Sequence, residues 1–170
     1  MELRVENLWN GEPADGSEAA WIRTSLDGDL MRIEVEATLH GDPPPRGAAG
    51  PFDGLWNHEV VELFIGGEGE EYLELEFGPH GHYLVLGLEG ERNIVERCVM
   101  VSYRTTHAHG RWRGVGYLHL SLLPKGPHRG NAFAIHGVGE ERRYLAWQPV
   151  PGEKPDFHQI DRFAPIRLFG

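Results

Sequence analysis

Apolar and polar residues alternate along most of the chain. The clearest stretch places Ile33, Val35, Ala37 and Leu39 on one side and Arg32, Glu34, Glu36 and Thr38 on the other. A period of two predicts an extended strand with one buried face. The same period runs through 56–65, where Val61, Leu63 and Ile65 share a face, and through 72–77, where Leu73, Leu75 and Phe77 do. Further strands are predicted over 3–9, 21–26, 82–88, 98–105, 112–122, 131–137, 143–147 and 165–169, with one helical turn near 159–163. Asp27-Gly28-Asp29 carries a hairpin signal. The segment from Gly41 to Leu55, with Asp42-Pro43-Pro44-Pro45, reads as a long stiffened loop that delivers Trp56 to the next strand. Roughly nine to eleven short strands separated by turns predict an all-β fold, a β-sandwich of two antiparallel sheets. No linker, internal repeat or low-complexity segment divides the chain, so one domain is expected over residues 1–170.

Composition narrows the function classes. The chain has 170 residues and a net charge of −10, which excludes the basic footprint expected of a nucleic-acid or anionic-membrane binder. Cys98 is the single cysteine, so no intrachain disulfide forms. The N-terminal residues contain no apolar signal core and no run is long enough to span a bilayer, so a cytoplasmic protein is expected. No P-loop, dinucleotide fingerprint or nucleophile elbow is present, and Gly66-Gly67-Glu68-Gly69 reads as an acidic hairpin loop.

The candidate chemistry gathers around Trp56. The polar faces of the two strands that follow carry His58 and Glu62, then Glu74 and Glu76. An indole can stack on the C–H face of a pyranose while carboxylates accept hydrogen bonds from its hydroxyls. The plainer reading of the same residues is a solvated sheet face with a tryptophan over its edge. The histidines His58, His80, His82, His136 and His158 lie near the same segments and leave the question of a metal open, although no compact ligand motif joins them.

Trp56…Glu62-Leu63-Phe64-Ile65, Tyr72-Leu73-Glu74-Leu75-Glu76, the Gly-Pro-His-Gly turn, Arg142-Arg143-Tyr144-Leu145-Ala146-Trp147 and Pro155-Asp156-Phe157-His158 together resemble the family 9 carbohydrate-binding modules and the wider DOMON-like β-sandwiches. The resemblance covers most of the chain. It is greatest to a stand-alone branch marked by Asp-Pro-Pro…Leu-Trp…Glu-Val-Val-Glu and Lys-Pro-Asp-Phe-His, for which it implies a fold and no activity. In the sugar-binding members two tryptophans sandwich a sugar and a glutamate bonds its hydroxyls. The resemblance therefore implies Trp56, Trp147 and Glu62 as the cleft, with Glu74, Tyr83 and Arg143 as secondary contacts. The cleft arginine of those members has no secure counterpart, and only Gln148 stands where an amide is expected. The implied function is non-catalytic binding of a glycan or small polar ligand, with no cofactor. Two alternatives remain: a hydrolase or lyase using Glu62 and a histidine, and an interaction domain with no small ligand.

Overall fold

Alternation builds the first sheet as expected. In the computed structural model, which describes all of residues 1–170, β1 (Glu2–Val5), β3 (Ala20–Asp27), β4 (Leu30–Thr38), β10 (Ser102–Ala108) and β11 (Arg111–His119) form a five-stranded antiparallel sheet in the order β1-β3-β4-β11-β10. The β3–β4 hairpin turns at Gly28, whose positive φ of 62° suits a residue without Cβ. Ile22, Met31, Ile33 and Val35 all point inward, and Trp112 packs among them.

The second sheet faces the first. Its order is β2 (Asn7–Leu8), β13 (Arg143–Ala146), β12 (Arg129–His136), β6 (Val60–Gly66), β7 (Glu71–Phe77), β8 (His82–Glu89) and β5 (Gly50–Pro51). β9 (Ile94–Cys98) pairs with β8, and β14 (Ala164–Pro165) pairs with β12. All pairings are antiparallel except the two-residue match of β5 with β8. Val61, Leu63 and Ile65 of β6 and Leu73, Leu75 and Phe77 of β7 fill the space between the sheets. The architecture is the antiparallel β-sandwich that the periodicity predicts.

Four boundaries differ from expectation. The strand predicted over 3–9 is β1 and β2, which belong to different sheets, and the strand predicted over 112–122 ends at His119, with Leu120–Leu122 forming a 3-10 turn. The strand predicted over 98–105 is two strands, because the chain crosses from the edge of one sheet to the edge of the other between Cys98 and Ser102. The closing strand predicted over 165–169 is only the two residues of β14, with a 3-10 turn at Ile160–Arg162 before it.

The larger difference concerns the outer face of the second sheet. A sheet face turned to water would leave the alternate residues of β6, β7 and β8 exposed. Instead every residue of β6 is buried, as are Tyr72–Phe77 of β7 and all but two residues of β8. A second apolar cluster lies on that outer face, with Phe64, Tyr72, Leu86 and Phe133 at its centre. Two irregular segments roof it. One is the loop ending in the 3-10 turn Leu55–Asn57, whose Leu55 is fully buried. The other is the tail after β13, where Phe157 stacks on Phe133 with ring centroids 3.8 Å apart and planes 5° from parallel.

The tail is fixed at its root by Asn131, which is wholly buried on the outer face of β12. Its Nδ2 donates to the Gln148 carbonyl at 3.0 Å, while its Oδ1 accepts from the N–H groups of Ala132 at 2.8 Å and Gln148 at 3.0 Å. Asn131→Ala strands these backbone groups away from water. It is expected to cost about 1–3 kcal/mol, the usual penalty for orphaned buried polar groups, read as a lowered midpoint in urea unfolding.

Candidate functional site

The roof does not close. Between the Trp56 turn and the tail lies a cleft of about 360 Å³, within the size range of small-molecule sites. Its floor is the outer face of the sheet: Glu62 and Phe64 from β6, Glu74 from β7, and Leu86 and Leu88 from β8. Its walls are Trp56 on one side, Phe157 and His158 on another, and Arg142 with Tyr144 from the start of β13.

Trp56 is 40% exposed, while its neighbour Leu55 is completely buried. A tight turn sends successive side chains in different directions, so one anchors the loop and the other stands over the cleft. Arg142 fixes that turn. Its guanidinium donates to the carbonyls of Trp56 at 2.6 Å, Asn57 at 3.2 Å, His58 at 3.3 Å and Gly137 at 3.0 Å. The long loop leading to the turn is held by Glu59, which accepts from the N–H groups of His40 and Gly41 at 3.1 and 3.2 Å.

The polar floor is a group of three carboxyl groups. Glu62, Glu74 and Glu76 place oxygens within 4.8 Å of one another. Register explains this: Glu62 stands directly opposite Glu76 across β6 and β7, and Glu74 lies two residues along the same face. The three are 2%, 5% and 0% exposed. Burial raises the pKa of each, because a carboxylate loses its hydration there, and the neighbouring carboxyl groups push Glu62 and Glu76 further. Glu74 is raised to about 7 and Glu76 to about 11.

A hydrogen-bonded pair, Tyr72 and His158, ends near Glu74. The backbone N–H of Arg92 donates to Tyr72 Oη at 3.3 Å, and Tyr72 Oη lies 2.7 Å from His158 Nδ1. Burial lowers His158 to about 4 and raises Tyr72 to about 12, so near neutral pH both are uncharged. In the tautomer in which Tyr72 donates to Nδ1, the histidine carries its proton on Nε2, 3.9 Å from Glu74 Oε2. Arg92 also pairs with Asp156 at 2.6 Å, which ties the tail to the β8–β9 turn.

No family model matches the chain. Among curated proteins it is 39% identical to the mouse UPF0462 protein C4orf33 homolog over 175 residues, covering 98% of this chain and 91% of the mouse protein. The human UPF0462 protein C4orf33 is 38% identical over 172 residues, covering 96% and 86% of the two chains. The zebrafish homolog is 36% identical over 177 residues, covering 99% and 89%. The chain belongs to the UPF0462 family. Among solved structures, this UPF0462 chain is similar to a proposed carbohydrate-binding protein from Bacteroides uniformis, with a TM-score of 0.68 over 96% of this chain and 84% of that one. At 16% identity the likeness is one of fold.

The UPF0462 fold brings together three of the six residues singled out from sequence: Trp56, Glu62 and Glu74. It places the other three elsewhere. Trp147 follows Leu145 by two residues, so it packs with it against the core between the sheets, on the opposite face from Trp56. The tryptophan sandwich is therefore not formed. Tyr83 has the same parity as Val85 and is buried between the sheets. Arg143 forms a two-pronged pair with Glu18 at 2.8 and 3.0 Å, which holds that carboxyl at about 2.

The five histidines do not assemble either. His58 Nδ1 meets the Pro43 carbonyl, His80 lies edge-on to His107, His82 is buried beside Phe52, and His136 stacks on His40 and bonds Glu18. Only His158 reaches the cleft. The second aromatic wall comes from Phe157 and Tyr144. Both belong to motifs visible in the sequence, but neither motif reveals which face its residues take.

The carboxyl group has a signature in stability against pH. Glu76 has a raised folded pKa, so the folded chain binds more protons than the unfolded one above the ordinary carboxyl range, about pH 4.5. The stability this confers is complete below that pH and is lost as pH rises toward about 11. His40, lowered to about 4 by burial, acts in the opposite sense: its contribution is lost as pH falls below about 6.5. It is common to wild type and variant and cancels in their difference. Glu76→Gln, compared with wild type in a chelating buffer, is expected to gain in relative melting temperature from pH 5 to pH 9, at roughly 2–4 °C per kcal/mol for a chain of this size.

Proposed function

We propose that the cleft binds a carbohydrate or a closely similar polyhydroxylated ligand without transforming it. The observation that carries this reading is an exposed tryptophan, held by Arg142, over a concave floor of carboxyl groups. The indole and the Phe157 side supply apolar area for the C–H face of a ring. Glu62 and Glu74 offer oxygens to hydroxyls, and a protonated carboxyl group can donate as well as accept. A cleft of about 360 Å³ suits one or two sugar rings rather than a long chain. The likeness to family 9 carbohydrate-binding modules and the fold shared with the Bacteroides uniformis protein support the same reading. The cleft itself weighs against a domain that only docks another protein.

Glu62 and Glu74 project from neighbouring strands of one sheet face, so they approach a ligand from the same side. The two carboxyl groups of a glycosidase flank the scissile bond. One observation favours a catalytic reading all the same: the Tyr72–His158 pair ends near Glu74, whose pKa of about 7 suits a general acid or base. On that reading Glu74 with His158, rather than Glu62 with a histidine, would serve hydrolysis. Slow turnover of a bound sugar, followed by NMR and lost in Glu74→Gln, is the outcome that would favour it.

The binding reading is tested by titrating mono- and disaccharides into wild type and Trp56→Ala. Because Trp56 is largely outside the core, the variant should fold with a nearly unchanged melting temperature. Its affinity for the best sugar should fall at least tenfold, about 1.4 kcal/mol. Equal affinities in the two proteins, or no sugar binding to wild type, would sink the reading.

A further inference from the structure

Two other buried carboxyl groups are met by direct donors. Glu18 has the Arg143 guanidinium, and Glu59 has two backbone N–H groups. Glu76 has neither. It is completely buried, and no backbone or side-chain N–H or hydroxyl reaches its oxygens; the one group within hydrogen-bond reach is the Glu74 carboxyl, which can bond it only while one of the two holds a proton. Unpaired buried polar atoms are rare in folded proteins, and such an atom at a candidate site often marks an unseen water or ion. These orphaned oxygens point at Glu62 and Glu74, which themselves form part of the cleft floor. The arrangement thus joins three facts: a buried carboxyl group that no cation or N–H of the protein reaches, two more within 4.8 Å of it, and a cavity opening onto two of the three.

Two kinds of cation could answer this. An ammonium group on a sugar would have to reach Glu76, which projects from the same sheet face beside Glu62 and takes no part in the cleft lining. A ring carbon held in the cavity keeps its amine on the near side. A bare ion has no such tether. An all-oxygen donor set of carboxylates suits hard divalent ions, which bind oxygen at about 2.0–2.6 Å. Zinc, which favours nitrogen and sulfur, is served less well.

We propose that Glu62, Glu74 and Glu76 form a site for a hard divalent cation of the Ca²⁺, Mg²⁺ or Mn²⁺ class. Glu76 holds the ion from the covered side and Glu62 and Glu74 from the side of the cleft. The positions facing the cleft stay open for water, or for paired hydroxyls of the ligand. That second step rests on the carbohydrate reading; the cation site does not. The ion displaces the protons that the three groups otherwise share, so binding releases protons.

The test is calorimetry on the full chain, stripped with EDTA and titrated separately with CaCl₂, MgCl₂ and MnCl₂ in two buffers of different ionisation enthalpy. One of these ions is expected to bind once per chain, with a heat that differs between the buffers because protons are released. Glu76→Gln and Glu62→Gln should each weaken that binding at least tenfold. Glu68→Gln, on the exposed β6–β7 loop, should leave it unchanged. The ion should raise the melting temperature of wild type but not of Glu76→Gln; should that variant fail to fold, Glu62→Gln gives the same reading.

The proposal is overturned if no ion binds once per chain at concentrations well above the ~1 mM of weak calcium modules. Binding that survives in both variants overturns it too. Repeating the sugar titrations with and without EDTA separates the two readings. Sugar affinity lost in EDTA and restored by the ion supports the ion's role in ligand binding. Sugar affinity that depends on Trp56 but ignores EDTA and added ion overturns that role and leaves the cleft reading standing. Ion binding with no sugar binding supports the cation site and overturns the carbohydrate reading.

Discussion

A sheet whose two faces are both apolar must be covered twice. In this chain the inner face of the larger sheet is covered by a second sheet, and the fit is complete. The outer face has no such partner. It is covered by a loop and a tail, each anchored by a few contacts: Leu55 and Arg142 for the loop, Asn131 and Phe157 for the tail. Two irregular segments meeting over a regular surface leave a gap where they fail to touch. The cleft is that gap, and its rigid floor is a property of the sheet rather than of the loops. Its walls can vary in sequence without moving Glu62 or Glu74.

The same covering creates the electrostatic problem at the floor. On a solvated sheet face, Glu62 opposite Glu76 would be a mild like-charge repulsion. Under a roof, each loses its hydration and the repulsion is no longer screened by water. Three adjacent glutamates in such a place are a poor choice for packing, since apolar residues of similar volume would fill the space at no electrostatic cost. Their presence is better explained by what they can hold than by what they contribute to folding.

Much of the fold was legible from period alone. Val61, Leu63 and Ile65 read correctly as one buried face, and the Asp27-Gly28-Asp29 turn was found where it was predicted. What period could not show is whether the second face is covered, because that depends on where residues 41–57 and 147–163 travel. Glu62, Glu74 and Glu76 carry the sequence signal of a wet face and are buried. Trp147 illustrates the matching limit. A tryptophan in a motif is attractive as a binding plate, but its parity with Leu145 commits it to the inner core. Parity was visible in the sequence; which parity meant the cleft was not. His158 and Phe157 were visible as a motif, and only the return of the tail across the sheet brings them to Glu74 and Phe133.

The charge pattern of the cleft bears on which ligands it can admit. Its two arginines are already engaged: Arg142 spends its donors on backbone carbonyls, and Arg92 is paired with Asp156. Arg142 has no free fork for a phosphate or carboxylate, the geometry that makes arginine a good anion receptor, and the charge of Arg92 is already matched by Asp156. The floor beneath them is acidic. An anionic sugar would gain nothing from a floor whose buried carboxyl groups hold on to their protons and would find committed guanidiniums at the side, so the proposed ligand is better a neutral one. If a divalent ion occupies the floor, three carboxylates still outweigh its charge, but its open coordination positions offer ligand oxygens a direct partner that the bare cleft lacks. The ion would then set which ligand oxygens the floor can bind, while Trp56 and Phe157 would still favour a ring with an apolar face.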